Sequence, residues 1–201
     1  MSNNFGQKNI ECRIITLGNT GVGKTSIIRR FLEDKYDNSC TSTIGIECSF
    51  KKITLEEENV EIKLKLIDTC GQEKYRAINK TYLKNTDGVL FVFALNNKVS
   101  LESLKDWIEL FNDNVTDLNI IKYLVGNKCD TEKEIEENEI KKFSELYDMK
   151  YFKTSAIDNL YINELFQDIG KNFYEKYKDS GLAQGIQLKK KGKVIEKNKC
   201  C

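Results

Sequence analysis

Residues 10–33 read IECRIITLGNTGVGKTSIIRRFLE, and this stretch decides the fold. Ile10–Leu17 is an apolar run ended by Gly18 and reads as a buried strand. Lys24–Glu33 reads as a helix. Between them stand Gly18, Asn19, Thr20, Gly21, Val22, Gly23, Lys24 and Thr25. This is a G-x-x-x-x-G-K-[ST] pattern in the strand–loop–helix context that gives it meaning. Glycines let the backbone curl with its N–H groups turned inward, which makes an anion nest. The helix that follows points its positive end at the same spot. Lys24 adds a cation where β- and γ-phosphates would lie, and the Thr25 hydroxyl offers a hard oxygen to Mg²⁺. The alternative is a glycine-rich turn with a solvated lysine, which would not need that context.

Outward from this loop, short apolar runs alternate with amphipathic patterns. Ile46–Leu55 and Val60–Asp68 read as two strands joined by the polar turn Glu56–Asn59. In the second, Ile62, Leu64 and Leu66 alternate with Glu61, Lys63 and Lys65, so one face is wet. Gly88–Asn96 is a continuously apolar strand. Ser100 is expected to cap a helix whose Leu101, Leu104, Ile108 and Phe111 share one face. Ile120–Gly126 reads as a strand, Glu134–Tyr147 as a helix, Tyr151–Thr154 as a short strand and Ile162–Tyr177 as a last helix. Strands alternating with helices predict an α/β fold: a largely parallel sheet covered on both faces.

Two further segments carry chemistry. Asp68-Thr-Cys-Gly71-Gln72 closes an apolar strand. An acid there can hold Mg²⁺ opposite Thr25, although strand ends also carry Asp as a turn residue. The Gln72 amide could orient a water in line with a γ-phosphorus. Asn127-Lys128-Cys129-Asp130 follows the Ile120–Gly126 strand at its carboxyl end, where ligands bind in such sheets. Guanine presents two neighbouring donors on one edge, and a carboxylate at Asp130 accepts both, whereas adenine would be repelled. Lys128 can lay its stem across the base plane, and Asn127 can tie this loop to the phosphate loop. Thr154-Ser155-Ala156 could add backbone N–H groups to the guanine oxygen.

Composition excludes several classes. The chain has 201 residues with 32 Lys+Arg, 31 Asp+Glu, 7 Cys, no His and no Pro. Without His there is no Ser-His-Asp or Cys-His catalysis and no imidazole zinc site. A net charge of +1 argues against nucleic acid as a partner. No CxxC pair supports a zinc ribbon or a thioredoxin-type site. The polar start shows no secretion signal, and no apolar run is long enough to span a bilayer. Residues 179–201 hold six Lys and two acids, or +4, and the remainder holds 26 basic against 29 acidic residues, or −3. The tail reads as a flexible basic leash, with Lys189, Lys190, Lys191 and Lys193 clustered and two thiols, Cys200 and Cys201, at its end. Lysine runs also merely solubilise, and terminal thiols also pair.

Together these residues resemble a Ras-superfamily small GTPase, over about Lys8 to Tyr177, and most closely a divergent member of its Rab branch. Ser42-Thr-Ile-Gly-Ile46 is similar to the Rab STIGV segment. Lys63-Leu-Lys-Leu-Ile-Asp-Thr-Cys-Gly-Gln-Glu73 resembles KLQIWDTAGQE, and Lys74-Tyr-Arg-Ala-Ile78 resembles RFRSI. Lys199-Cys-Cys201 resembles the double-cysteine end of many Rabs and is not a C-a-a-X box.

The resemblance implies a P-loop NTPase-type, doubly wound, six-stranded sheet with one antiparallel edge strand. It implies a disordered 1–7, a G domain over 8–177 and a hypervariable tail over 178–201. It implies GTP and GDP as ligands, with Ser26, Tyr36 and Ile157 joining the contacts already named. Thr43 is implied as a further Mg²⁺ ligand and γ-phosphate sensor, and Gly71 as an amide donor to that phosphate. Implied partners are an exchange factor, a GTPase-activating protein, a GDP-dissociation inhibitor or escort protein, and effectors that read the GTP form. The protein would be a monomer held by two prenyl groups on the cytoplasmic face of an endomembrane or the plasma membrane, cycling with cytosol and regulating vesicle traffic.

The departures are also informative. Cys70 stands where Ala is usual and Ile157 where Lys is usual. The positions of the aromatic effector-reading triad hold Cys48, Ile67 and Tyr82. No Arg stands near Thr43, so hydrolysis is expected to be slow until an activator supplies about 10³–10⁵-fold. Trp107 is expected to be a packed helix residue rather than a ligand contact. An ATP-dependent small-molecule kinase and a nucleotide-binding scaffold that does not hydrolyse are the rival readings.

Overall fold

The structure is a computed structural model describing residues 10–36, 45–69, 82–117 and 119–179. Its elements in chain order are β1 (Ile10–Leu17), α1 (Lys24–Glu33), β2 (Ile46–Leu55), β3 (Val60–Thr69), β4 (Gly88–Ala94), α2 (Lys98–Glu102), α3 (Leu104–Asn112), β5 (Ile121–Asn127), α4 (Glu137–Leu146), β6 (Lys150–Lys153) and α5 (Ile162–Asp179). The six strands form one sheet in the order β2-β3-β1-β4-β5-β6. Every neighbouring pair is parallel except β2–β3, the antiparallel edge hairpin. This is the doubly wound, mostly parallel α/β sheet expected from the sequence.

The central strands show why the sheet is parallel. β4 is buried along its whole length, as a strand covered on both faces must be. One face packs on α1 and α5 through Ile27, Phe31, Ile162, Phe166 and Ile169. The Phe31 and Phe166 rings stack there at 3.9 Å. The other face packs on α2, α3 and α4 through Leu101, Leu104, Trp107, Phe111 and Ile140. Each such aliphatic or aromatic side chain contributes about 1.5–3 kcal/mol relative to leaving it exposed. α5 approaches the sheet so closely that a Cβ on Gly170 would lie 2.3 Å from Ile53 Cδ1. In β3, Ile62, Leu64 and Leu66 are buried while Glu61, Lys63 and Lys65 are not, so the alternation read from sequence holds.

Several boundaries shift. The segment after β4 is two helices, and Ser100 is not the cap. Asn97 caps α2, its Oδ1 accepting from the Ser100 amide at 3.1 Å, while the buried Ser100 hydroxyl donates to the Asn97 carbonyl. The chain re-enters at Ser103, yet all four expected apolar residues are buried. α4 starts at Glu137, so Glu132–Glu136 precede it. α5 runs two residues past Tyr177. Ile67 is buried, unlike exposed Cys48 and Tyr82, so two of the three expected effector-reading positions lie at the surface. The expectations for residues 1–7, for Thr43, Gly71 and Gln72, and for the tail with Cys200 and Cys201 fall outside the described residues. No helix among the described residues is long and apolar enough to cross a membrane.

Candidate nucleotide-binding site

The parallel strands β1, β3, β4, β5 and β6 run the same way, and the loops that leave β1, β5 and β6 converge beside the end of β3. Gly18 leaves β1 with φ 144°, and a Cβ at that position would come within 2.1 Å of the Val92 carbonyl oxygen. Gly23 has φ 100°, and its Cβ would fall 2.1 Å from Asn127 Nδ2. Both positions therefore require glycine. α1 begins immediately after, with Gly23 at its N-cap and no acid in its first turn. A helix start of this kind, with its amides and dipole turned toward the loop, favours an anion. Lys24 is buried and its Nζ donates to the carbonyls of Gly18 and Asn19, both at 2.9 Å. Thr20 and Gly21 are exposed at the loop tip, Val22 is buried beneath it, and Ser26 is half-buried on the first turn.

Asp68, near the end of β3, faces α1. Thr25 Oγ1 donates to Asp68 Oδ2 at 2.5 Å, and Thr16 Oγ1 reaches Oδ1 at 3.4 Å. Burial raises the Asp68 pKa above the usual carboxylate range; the Thr25 bond and the Lys24 charge oppose that shift. Glu47, directly across the β2–β3 ladder, adds a like charge that raises it further. Two hard oxygen donors in contact, one of them a carboxylate, suit Mg²⁺.

Asn127 joins three loops. It is buried, and its Nδ2 donates to the Val22 carbonyl at 2.9 Å. Its Oδ1 accepts from the Ala156 amide and from Thr154 Oγ1, each at 3.3 Å. Lys128 follows with φ 65° and is half-buried, and the Cys129 amide donates to the Thr154 carbonyl at 3.0 Å. Asp130 is exposed and its Oδ1 accepts from Ser155 Oγ at 2.5 Å. Ser155 and Ala156 are buried while Ile157 is exposed. The structure thus brings the phosphate loop, residues 127–130 and residues 154–157 into one hydrogen-bonded unit. Tyr36 lies beyond α1, with the Arg30 guanidinium 5.9 Å from its ring centre.

Sequence reasoning missed two anchors of this unit. Arg30 of α1 donates from Nε to the Ala156 carbonyl and from a terminal nitrogen to that of Ile157, both at 2.8 Å. Trp107 of α3 is buried as expected, but its Nε1 also donates to Asn19 Oδ1 at 2.8 Å. These contacts span 126, 127 and 88 residues, and no local pattern announces them.

Fold and site together define a P-loop nucleotide-binding α/β protein. Residues 13–175 match the family model described as Ras family. The chain is 32% identical to GTP-binding protein YPT1 of Saccharomyces cerevisiae over 90% of this chain and 88% of that protein. It is 31% identical to Ras-related protein Rab-13 of Bos taurus over 92% of this chain and 85% of the relative. It is 34% identical to Ras-related protein Rab-39A of Mus musculus, over 83% of this chain and 79% of the relative. The chain belongs to the Ras family, as a Rab-type small GTPase.

Proposed function

We propose that this Rab-type GTPase holds GTP or GDP across residues 18–26, 127–130 and 155–157, and regulates vesicle traffic by the state of that nucleotide. The observation that carries this reading is the 2.9 Å bond from Asn127 Nδ2 to the Val22 carbonyl, which makes the phosphate loop and the base-reading loop one body. A phosphate cradle alone would serve ATP equally. One locked to an Asp placed for the guanine edge favours guanine.

Lys24 and the first amides of α1 meet the negative charge that grows on the phosphoryl oxygens as water attacks the γ-phosphorus in line. Thr25 and Asp68, with Thr43, would hold Mg²⁺, which supplies charge neutralisation and orientation at the phosphates. Gln72 orients the attacking water. Loss of the γ-phosphate would release Thr43 and Gly71, and effectors would sense that change. An exchange factor, an activating protein, and a GDP-dissociation inhibitor or escort protein would set the cycle. Cys200 and Cys201 would each carry a prenyl chain, because two lipids anchor stably where one does not. The lysine cluster would favour the anionic cytoplasmic leaflet of an endomembrane or the plasma membrane. The protein would act as a monomer.

The test is to purify the full chain with Mg²⁺, identify the retained nucleotide and follow GTP and ATP hydrolysis, alone and with a Rab-activating domain. Guanine nucleotide and slow GTP turnover, further slowed in Gln72→Leu without loss of binding, are expected. Retained ATP would refute the reading.

A further inference from the structure

We propose that Trp107 is a positioning residue for the phosphate loop, acting through Asn19 to hold nucleotide on the protein. This inference rests on the reading of residues 18–25 as a phosphate site. Trp107 is 1% exposed, so its ring orientation is set by the apolar cluster on the α3 face of the sheet. Its one polar atom, the indole N–H, is a donor only and meets Asn19 Oδ1 at 2.8 Å. A donor on a rigid, buried ring defines a point in space, unlike one on a flexible stem. Asn19 is gripped a second time, because its carbonyl accepts from Lys24 Nζ at 2.9 Å. The residue after Gly18 is therefore fixed both by side chain and by backbone. Slack at Asn19 moves an acceptor of the very lysine that meets the phosphates. α3 thus sets the curvature of a loop that belongs, by sequence, to β1 and α1.

The bond acts on the bound state, so nucleotide release reads it. Full-length protein is loaded with Mg²⁺ and a fluorescent N-methylanthraniloyl GDP, then chased with unlabelled GDP. Trp107→Phe keeps a packed ring and loses the N–H; release about five- to tenfold faster is expected, the worth of one buried hydrogen bond. Asn19→Ala should speed release by a similar factor. The double variant should be no faster than the quicker single, because both remove one bond. Asn19→Asp, which keeps an acceptor, should release more slowly than Asn19→Ala. A ring with a merely structural role would not produce that order or that non-additivity. Should Trp107→Phe fail to fold, the two Asn19 variants carry the test, since they leave the apolar cluster intact. Release within twofold of wild type in the single variants, or additive effects in the double, would overturn the inference. A wild-type chain that retains no guanine nucleotide would overturn the site reading beneath it, which is a separate result.

Discussion

Arg30→Met is the sharpest probe of how the proposed base-reading side is built. The guanidinium donates to three carbonyls: Ala156 and Ile157 at 2.8 Å and Asp34 at 2.9 Å. Its side chain is 13% exposed, so these bonds are only lightly screened. Methionine keeps the unbranched stem and its packing but loses all five donors. The bond to Asp34 stays near α1's own end, so two bonds cross to the loop. A hydrogen bond to a charged group contributes about 1.5–3 kcal/mol when buried. The Ala156 bond is partly buried and merits the low end; the Ile157 bond is at the rim and merits about 0.5 kcal/mol. The loop therefore loses roughly 2 kcal/mol of restraint, an upper limit of about thirtyfold in nucleotide affinity. Lysine, a point charge without the fork, should fall between methionine and wild type. Release of labelled GDP at fixed Mg²⁺ measures the effect, with thermal unfolding alongside. Release within twofold of wild type, together with a lowered melting temperature, would mean that the clamp serves only the fold.

Four contrasts extend to other parts of the site and core. Gly18→Ala should cost about 3 kcal/mol or more in thermal unfolding, because its Cβ meets backbone; Gly21→Ala, with open space at φ 78°, should cost about 1–2 kcal/mol. Asp130→Asn should shift nucleotide preference from guanine toward xanthine in a competition assay, and retained guanine selectivity would contradict the edge-reading argument. Tyr151 carries a buried hydroxyl with no hydrogen-bond partner among the described residues, so Tyr151→Phe should leave stability unchanged or raise it by up to about 1 kcal/mol; Tyr123→Phe, which loses a bond to Asp168, should lower it by about 1–2 kcal/mol in urea titration. Burial pushes both phenols above their usual value, so the unfolded chain sheds those protons first and stability should fall as pH rises through about 10, less steeply in Tyr151→Phe.

What could be read from sequence followed from how local each signal is. α1 was delimited correctly at both ends, because Gly23 and Asp34 flank it in left-handed conformations that stop a helix. The β2–β3 hairpin was legible because period-two alternation and a polar turn ending at Asn59, with φ 53°, lie within a few residues of each other. The break at Ser103 was not legible, since the apolar stripe from Leu101 to Phe111 continues across it. The loops after β1 and β5 were legible because each follows an apolar strand, and the loop after β6 because it follows the short strand that ends the sheet. Arg30 and Trp107 were missed because their acceptors are set only when distant elements pack. An arginine on a helix exposes nothing in its sequence neighbourhood that distinguishes a clamp from a solvated charge. Nor does Trp107, whose apolar ring satisfies the helix pattern whatever its N–H meets.

These anchors are not independent, and the structure says which should couple. The Ala156 peptide is held at both ends: its amide donates to Asn127 Oδ1 at 3.3 Å, and its carbonyl accepts from Arg30 Nε at 2.8 Å. Removing either restraint lets the peptide turn and weakens the other, so part of each bond is already lost in the single variants. Arg30→Met with Asn127→Ala should therefore cost less than the sum of the two, by about 0.5–1.5 kcal/mol. Arg30→Met with Trp107→Phe is the opposite case. The Trp107 bond ends on Asn19, which among the described residues shares no hydrogen-bond partner with Arg30, so these effects should add within about 0.5 kcal/mol. Paired GDP-release cycles measure both quantities on the same scale. Equal coupling in the two cycles would mean that the site loosens as a whole, and that the separate bonds do not determine how it holds nucleotide.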